Sequence, residues 1–339
     1  MKDIRCPYTD SSTEYGGTAL KKENIFRNTV RGQHIRDLCA VFLFLLLFPY
    51  CCSLVLGKDF VKETELFQSE AGQEIRIRVR QKNGTRLLEL EEYLIGALAA
   101  SIPADYEMET LKAQAVILRT MCVRENENQH TEGGFVDMSA VGQQFFSSKQ
   151  MQKEWRKDAQ DHLNKIKMAV QETAGIYMTH SGKVIEPGFF YLSAGKTRSG
   201  EEVLGKAYSY FAGVDCPEDR QEKNAAGSFR MTEEQFRRRL GLAKEKEISL
   251  IRDSSDYVLW VKIGERCISG EEFRNLLGLD SACFSLHFEK NTVIVSWKGI
   301  GHGLGFCQYD ANRRAKEGMN FTDLLNLYFH GIELQKMYE

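Results

Sequence analysis

The chain has 339 residues, 42% of them apolar, enough to bury a full core in one or two domains. Its 45 lysines and arginines against 47 acids leave a net charge of -2, and the basic residues are scattered, so no nucleic-acid footprint is visible. With 28 glycines and only 5 prolines, the composition suits a folded chain with tight turns and excludes a disordered one.

The first element is 38-LCAVFLFLLLFPYCCSLVL-56, which carries no charge. As a helix it would extend roughly 28 Å, close to a hydrocarbon core of about 30 Å, and Pro49 is tolerable in a membrane helix. Lys2, Arg5, Lys21, Lys22, Arg27, Arg31 and Arg36 precede it. The positive-inside rule then makes residues 1–37 a cytoplasmic tail, 38–56 a single transmembrane anchor in the cell membrane, and the remainder extracytoplasmic. A cleaved signal peptide is the rival, but the leader is long for an n-region and no A-x-A site follows. Phe48-Pro49-Tyr50 before Cys51 lacks the small residues of a lipoprotein processing site.

Residues 57–73 read as an acidic, polar linker. Then 75-IRIRVR-80 alternates at period two, and Asn83-Gly84 is a hairpin turn before 86-RLLEL-90. Leu90, Leu94, Ala97 and Leu98 form a helical stripe that Pro103 terminates. Leu111, Ala115, Leu118 and Cys122 mark the core face of a second helix, with Ser101 between the two as a linker or a cap. Residues 124–134 form a polar loop ending in Gly133-Gly134. One long amphipathic helix is expected from about Lys149 to Glu172, with Gly175 as its stop.

After it, 176-IYMT-179 and 184-VIEPGFFYLS-193 read as a hairpin. Residues 215–247 are charged and irregular apart from a helix at 232-TEEQFRRRL-240, capped by Thr232 with Glu234 or Gln235. Strands follow at 257-YVLWVKI-263, 283-CFSLHF-288 and 292-TVIVSW-297. A helix around Asp310–Glu317 is closed by Gly318, and Thr322 is expected to cap a last helix, 323-DLLNLYF-329. Helices and strands mix without βαβ regularity, so the fold class is α+β.

Three regions are polar or glycine-rich within ordered sequence: the Ser101-Ile102-Pro103 break, 191-YLSAGKTRSG-200 and 299-GIGHGLGFCQYD-310. Ser193-Ala194-Gly195-Lys196-Thr197 follows a strand and offers hydroxyls and a lysine, as either an ordinary hairpin loop or a ligand loop; the spacing of a phosphate loop is absent. In 299-GIGHGLG-305, glycines at every second position flank His302 and are expected to expose its imidazole. Ser193 lacks the G-x-S-x-G elbow of a hydrolase. The cysteines beyond the anchor (Cys122, Cys216, Cys267, Cys283, Cys307) form no C-x-x-C and read as thiols. The histidines have no ligand spacing, so neither metal nor other cofactor is expected.

Taken together and in order, 91-EEYLIGALAASIPADYEMETLKAQAVILRT-120, 190-FYLSAGKTRSGEEVLG-205, 269-SGEEFRNLLGL-279 and 301-GHGLGFCQYDANRRAKEG-318 resemble the stage II sporulation protein D family. The resemblance runs from about residue 74 to the C-terminus and implies a single domain over 74–339 behind the anchor. That family contains membrane-anchored lytic transglycosylases that cleave peptidoglycan glycan strands stripped of stem peptides during engulfment of the forespore. It therefore implies glycan strands as the partner, contacted by Ser193, Gly195, Lys196, Thr197, His302, Gln308 and Tyr309, with stage II sporulation proteins M and P as protein partners.

In such a reaction one carboxylic acid protonates the glycosidic oxygen while the sugar's own C6 hydroxyl attacks the anomeric carbon, giving an anhydro product; ordinary glycosidases generally use two carboxyl groups. The family's glutamate stands two residues before the proline, and here that position is Ser101. A hydroxyl cannot protonate a leaving group near pH 7. Glu91, Glu92, Glu107, Glu109 and His302 are the available substitutes, although the glutamates read better as surface or capping residues. Some relatives carry possible zinc ligands in a segment matching 142-GQQFF-146, where Gly142 and Gln143 stand in their place. Three functions follow as alternatives: a glycan-binding protein with weakened or lost catalysis, an active transglycosylase with a displaced acid, or a membrane-tethered interaction module that does not bind glycan.

Overall fold

The computed structural model describes residues 75–81, 84–129, 135–242 and 247–337. The expected tail, anchor and linker lie outside them, as do the turn at 82–83 and the glycine pair at 133–134. Among the described residues no helix is long and apolar enough to cross a membrane.

The fold is α+β. Strands β1 (Arg76–Gln81) and β2 (Gly84–Glu89) pair as the expected hairpin, with β3 (Phe135–Val136) parallel on the other side of β1. Helix α1 (Leu90–Ser101) follows directly, and then α2 (Met108–Gln129). Every residue from Ala113 to Thr120 is buried, so α2 has no single core face. Leu111, Ala115, Leu118 and Cys122 face one apolar core, while Ala113, Val116 and Ile117 face a second. Buried on every side over this stretch, α2 is the axle that joins the two cores.

The long helix expected over 149–172 is broken. Helix α3 (Ser148–Trp155), started by a Ser147/Gln150 capping box, ends where Arg156 takes φ +52°, and α4 (Ala159–Glu172) continues after one 3-10 turn. The 142–146 stretch packs back on α1: the Phe145 ring fills the space a Cβ on Gly96 would need and stacks on Tyr93 at 5.6 Å. Strand β4 (Ile176–His180) lies between β5 (Lys183–Val184) and the C-terminal β14 (Ile332–Lys336). The strand expected over 184–193 is reduced to β5 and β6 (Phe189–Phe190), and a short helix α5 (Gly200–Leu204) follows the next loop.

Residues 226–242 and 247–298 build a lobe around a third core. One sheet has the order β11 (Cys283–Glu289), β12 (Thr292–Lys298), β7 (Ala226–Thr232). The other has β10 (Arg266–Ser269), β9 (Val258–Ile263), β8 (Ile248–Arg252). Helices α6 (Glu233–Leu240) and α7 (Gly270–Leu277) supply Phe236 and Phe273 to the core between them. Thr232 caps α6 with Gln235 as its capping-box partner. Strand β13 (Phe306–Cys307) pairs with β6, then α8 (Gln308–Lys316) and α9 (Phe321–Tyr328) close the second core. Asn320, not Thr322, caps α9, accepting from Asp323 N–H. Cys122, Cys216, Cys283 and Cys307 are buried free thiols, and Cys267 is an exposed one.

Candidate functional site

The 226–298 lobe is inserted between two loops that hold each other. Leu192 and Ile300 exchange backbone hydrogen bonds of 3.1 and 2.8 Å, and Arg198 N–H donates to Gly303 O at 2.8 Å. Gly299, Gly301, Gly303 and Gly305 all have positive φ. A Cβ on Gly299 would stand 2.8 Å from Leu192 O and 2.9 Å from Ala194 N, so the alternating glycines permit a zigzag pressed against backbone. This corrects the expectation of an exposed imidazole. His302 is half-buried, its ring 5.7 Å from Phe190, and its Nδ1 accepts from Leu304 N–H at 3.1 Å. Burial pushes its pKa down, which favours the neutral ring.

The 193–197 loop is likewise satisfied from within. Ser193 and Thr197 are fully buried. Ser193 Oγ accepts from Gly195 N–H at 3.0 Å, and Ser193 N–H donates to Asp219 Oδ2 at 2.9 Å. Thr197 Oγ1 donates to Ala212 O at 2.7 Å and accepts from Val214 N–H at 2.8 Å. Gly195, at φ +110°, leaves room for the Arg220 guanidinium. Only Lys196 reaches outward, 3.7 Å from the exposed Asp215, a pair worth little in water. Asp219 also accepts from Cys307 Sγ at 3.1 Å while its Oδ1 has no partner among the described residues, and burial raises its pKa from the ordinary value.

Ser101 is the last residue of α1, where the chain must leave the helix before Pro103. Its Oγ donates back to Ala97 O at 2.7 Å, so it caps nothing in α2, whose first turn starts from the Glu107 carbonyl. Ser101 O accepts from Gln308 Nε2 at 2.7 Å, and the same nitrogen lies 3.1 Å from Gln114 Oε1. Gln308 and Gln114 are both buried, and Gln114 Nε2 has no partner among the described residues. Gln308 is therefore a positioning residue under Ser101. Its neighbour Tyr309 faces outward: its N–H donates to Tyr191 O at 3.0 Å, the two rings lie 6.4 Å apart, and its hydroxyl donates to Glu222 Oε2 at 2.7 Å. That hydrogen bond, ahead of desolvation, pushes the Tyr309 phenol up to about 12. Tyr106 lies beside Tyr191, its pKa raised by burial and then by that neighbour.

Half-buried Ser101, Pro103, Tyr191, Tyr309 and Glu222 thus gather around the break in α1 through this chain of contacts. Of the residues expected from sequence, Ser101, Gln308 and Tyr309 come together; Ser193, Gly195 and Thr197 build the adjoining loop with buried groups. The substitute acids fare differently. Glu91 is not a surface residue: it grips fully buried Arg119 with hydrogen bonds of 2.8 and 2.6 Å. Glu92 is half-buried, 3.6 Å from Arg86. Partial burial works upward on Glu109, but Lys112 and the Phe321 N–H hold it below its usual range, the wrong direction for an acid at neutral pH. Glu107 has its N–H on Asn312 Oδ1 at 2.7 Å. Sequence reasoning missed Glu222, which sits in the charged stretch passed over as irregular. It also missed Gln114, though an amide in the middle of an apolar helix was a signal.

The stage II sporulation protein family model (SpoIID) matches residues 80–180, which include Ser101 and all of α2. The chain is 33% identical over 255 residues to stage II sporulation protein D of Bacillus amyloliquefaciens, covering 73% of this chain and 74% of that protein. It is 31% identical over 255 residues to the protein of the same name from Bacillus subtilis (strain 168), with the same coverage of 73% and 74%. Similarity to the amidase enhancer of B. subtilis is 21% over 299 residues, 71% of this chain and 40% of that protein.

Proposed function

Because this chain belongs to the stage II sporulation protein D family and is thus sporulation-related, we propose that it binds denuded peptidoglycan glycan strands at the Ser101–Tyr309 lip, with transglycosylase activity weakened or lost. In this account the aromatic rings of Tyr191 and Tyr309 lie along the strand, and Lys196 supplies a donor from the neighbouring loop. The strand is met outside the cell membrane, to which residues 38–56 tether the domain, and stage II sporulation proteins M and P are the proposed protein partners.

The observation that carries the reading is the state of residue 101. Cleavage needs a proton delivered to the glycosidic oxygen and then returned from the attacking C6 hydroxyl, a task for a carboxyl group of raised pKa. The Ser101 hydroxyl is committed to Ala97 O, and the amides of Gln308 and Gln114 around it do not titrate. A second reading, residual cleavage with a displaced acid, draws on Glu222, the carboxylate held at the lip by Tyr309.

The test is to incubate the purified full-length protein with stem-peptide-free glycan strands, then measure co-sedimentation and anhydro-ended sugars. Binding with little product supports the first reading. Abundant product that disappears in Glu222→Gln would move the conclusion to the second. Neither binding nor product would sink both.

A further inference from the structure

The inserted lobe presents a cleft of about 410 Å³ that the lip does not include. On its floor, Ser228, Ser296 and Ser285 stand directly opposite one another on β7, β12 and β11. Because side chains alternate along a strand, these hydroxyls share the face opposite to Val293 and Val295, which anchor the sheet in the lobe's core. Ser285 Oγ and Ser296 Oγ are 2.9 Å apart, and Ser228 and Ser285 are exposed. Arg252 forms one wall, tied by its two terminal nitrogens to Asp256 O and Phe284 O, both at 2.7 Å. Its Nε lies 3.5 Å from the Asp256 carboxylate, so those two charges offset each other. Lys298, exposed in the same lining, is the unmatched charge of the cleft among the described residues.

The strands under the cleft are tied by backbone hydrogen bonds to the segment that carries Glu222. These strands leave the 225 and 299 positions, where Gly299 N–H donates to Ala225 O at 2.6 Å and Ala225 N–H donates to Glu222 O at 2.9 Å. Gly299 itself packs on Leu192 and Ala194 of the loop beside Ser193. Glu222 stands only three positions before Ala225, after which the floor strand β7 begins, so the two places are neighbours along the chain.

We propose that this cleft is a second subsite for the same strand, taking an acidic saccharide unit. This deepens the proposed function and rests on it. Serine hydroxyls both donate and accept, which suits sugar hydroxyls and acetamides. Removing a stem peptide leaves the lactyl carboxylate of the muramic acid unit free, and that anion is the partner Lys298 fits.

The experiment compares full-length wild type, Lys298→Ala and Ser296→Val for binding to short and to long stem-peptide-free glycans. A parallel arm uses long strands with methyl-esterified carboxylates, and circular dichroism checks each variant's fold. Wild type is expected to prefer long strands. Both variants lose that preference, with about tenfold weaker binding of long strands for Lys298→Ala, and keep short-strand binding; esterified strands bind wild type as free-acid strands bind Lys298→Ala. Unchanged long-strand binding by folded variants would overturn the cleft and leave the lip intact. Equal loss on short and long strands would overturn the division into two subsites. If wild type binds neither length, the lip reading fails and the cleft falls with it.

Discussion

The backbone carbonyl of Ser101 accepts a 2.7 Å hydrogen bond from Gln308 Nε2, tying the end of α1 to the start of α8. Carbonyls in the last turn of a helix have no partner within it, and here one is met by a side chain 207 positions away. The position of residue 101 is thereby set by the fold, whatever side chain it carries. What the protein lacks there is a titratable group, not a place for one.

Replacing Gln308 by alanine should cost about 2–3 kcal/mol of stability, since it leaves Ser101 O and Gln114 Oε1 unsatisfied beside an amide that is already unpaired. Urea unfolding measures the loss. Glycan binding should weaken in step, because Tyr309 follows Gln308 directly.

Glu91 belongs to stability and not to chemistry. Arg119 is fully buried, and it also donates to Ile176 O and Val170 O. Glu91→Ala leaves that charge unpaired and should destabilise by about 3–5 kcal/mol. An unchanged urea midpoint would contradict the structural role assigned here.

Asp219 predicts a pH dependence. Its folded pKa is raised by burial, with Asp310 adding to the effect. A group raised on folding contributes stability that is fully present below its unfolded pKa of about 3.9 and is lost as pH rises through the folded value. The wild type should therefore lose stability relative to Asp219→Asn as pH rises from about 3.9 toward neutrality. Urea midpoints of the two proteins across that window check the sign.

Much of this was legible in the chain itself. The β1–β2 hairpin, the Thr232 capping box and the break at Pro103 follow from local rules, and four motif blocks in order pointed to the family. What local rules could not supply was partnership across the fold. Alternating glycines around His302 suggested exposure, yet the zigzag they allow presses the segment onto Leu192 and Ala194. Glu91 and its half-buried neighbour Glu92 look alike in the sequence, and only the position of Arg119, 28 residues away, makes Glu91 part of a buried ion pair. Arg156 broke an amphipathic pattern that continued on both sides of it. Glu222 had no motif to mark it, because its place beside Tyr309 is a contact across 87 positions.

The central claim is that serine at position 101 separates glycan binding from cleavage. The most direct test is the yield of anhydro-ended sugars from wild type and Ser101→Glu on the same stem-peptide-free strands. A glutamate at this half-buried helix end, where the dipole disfavours the anion, gains the raised pKa an acid needs. The account predicts strand binding by both proteins, little product from the wild type, and an increase toward about 10²–10⁴-fold in the variant. Abundant product from the wild type, or a folded, strand-binding Ser101→Glu that stays inert, would contradict it.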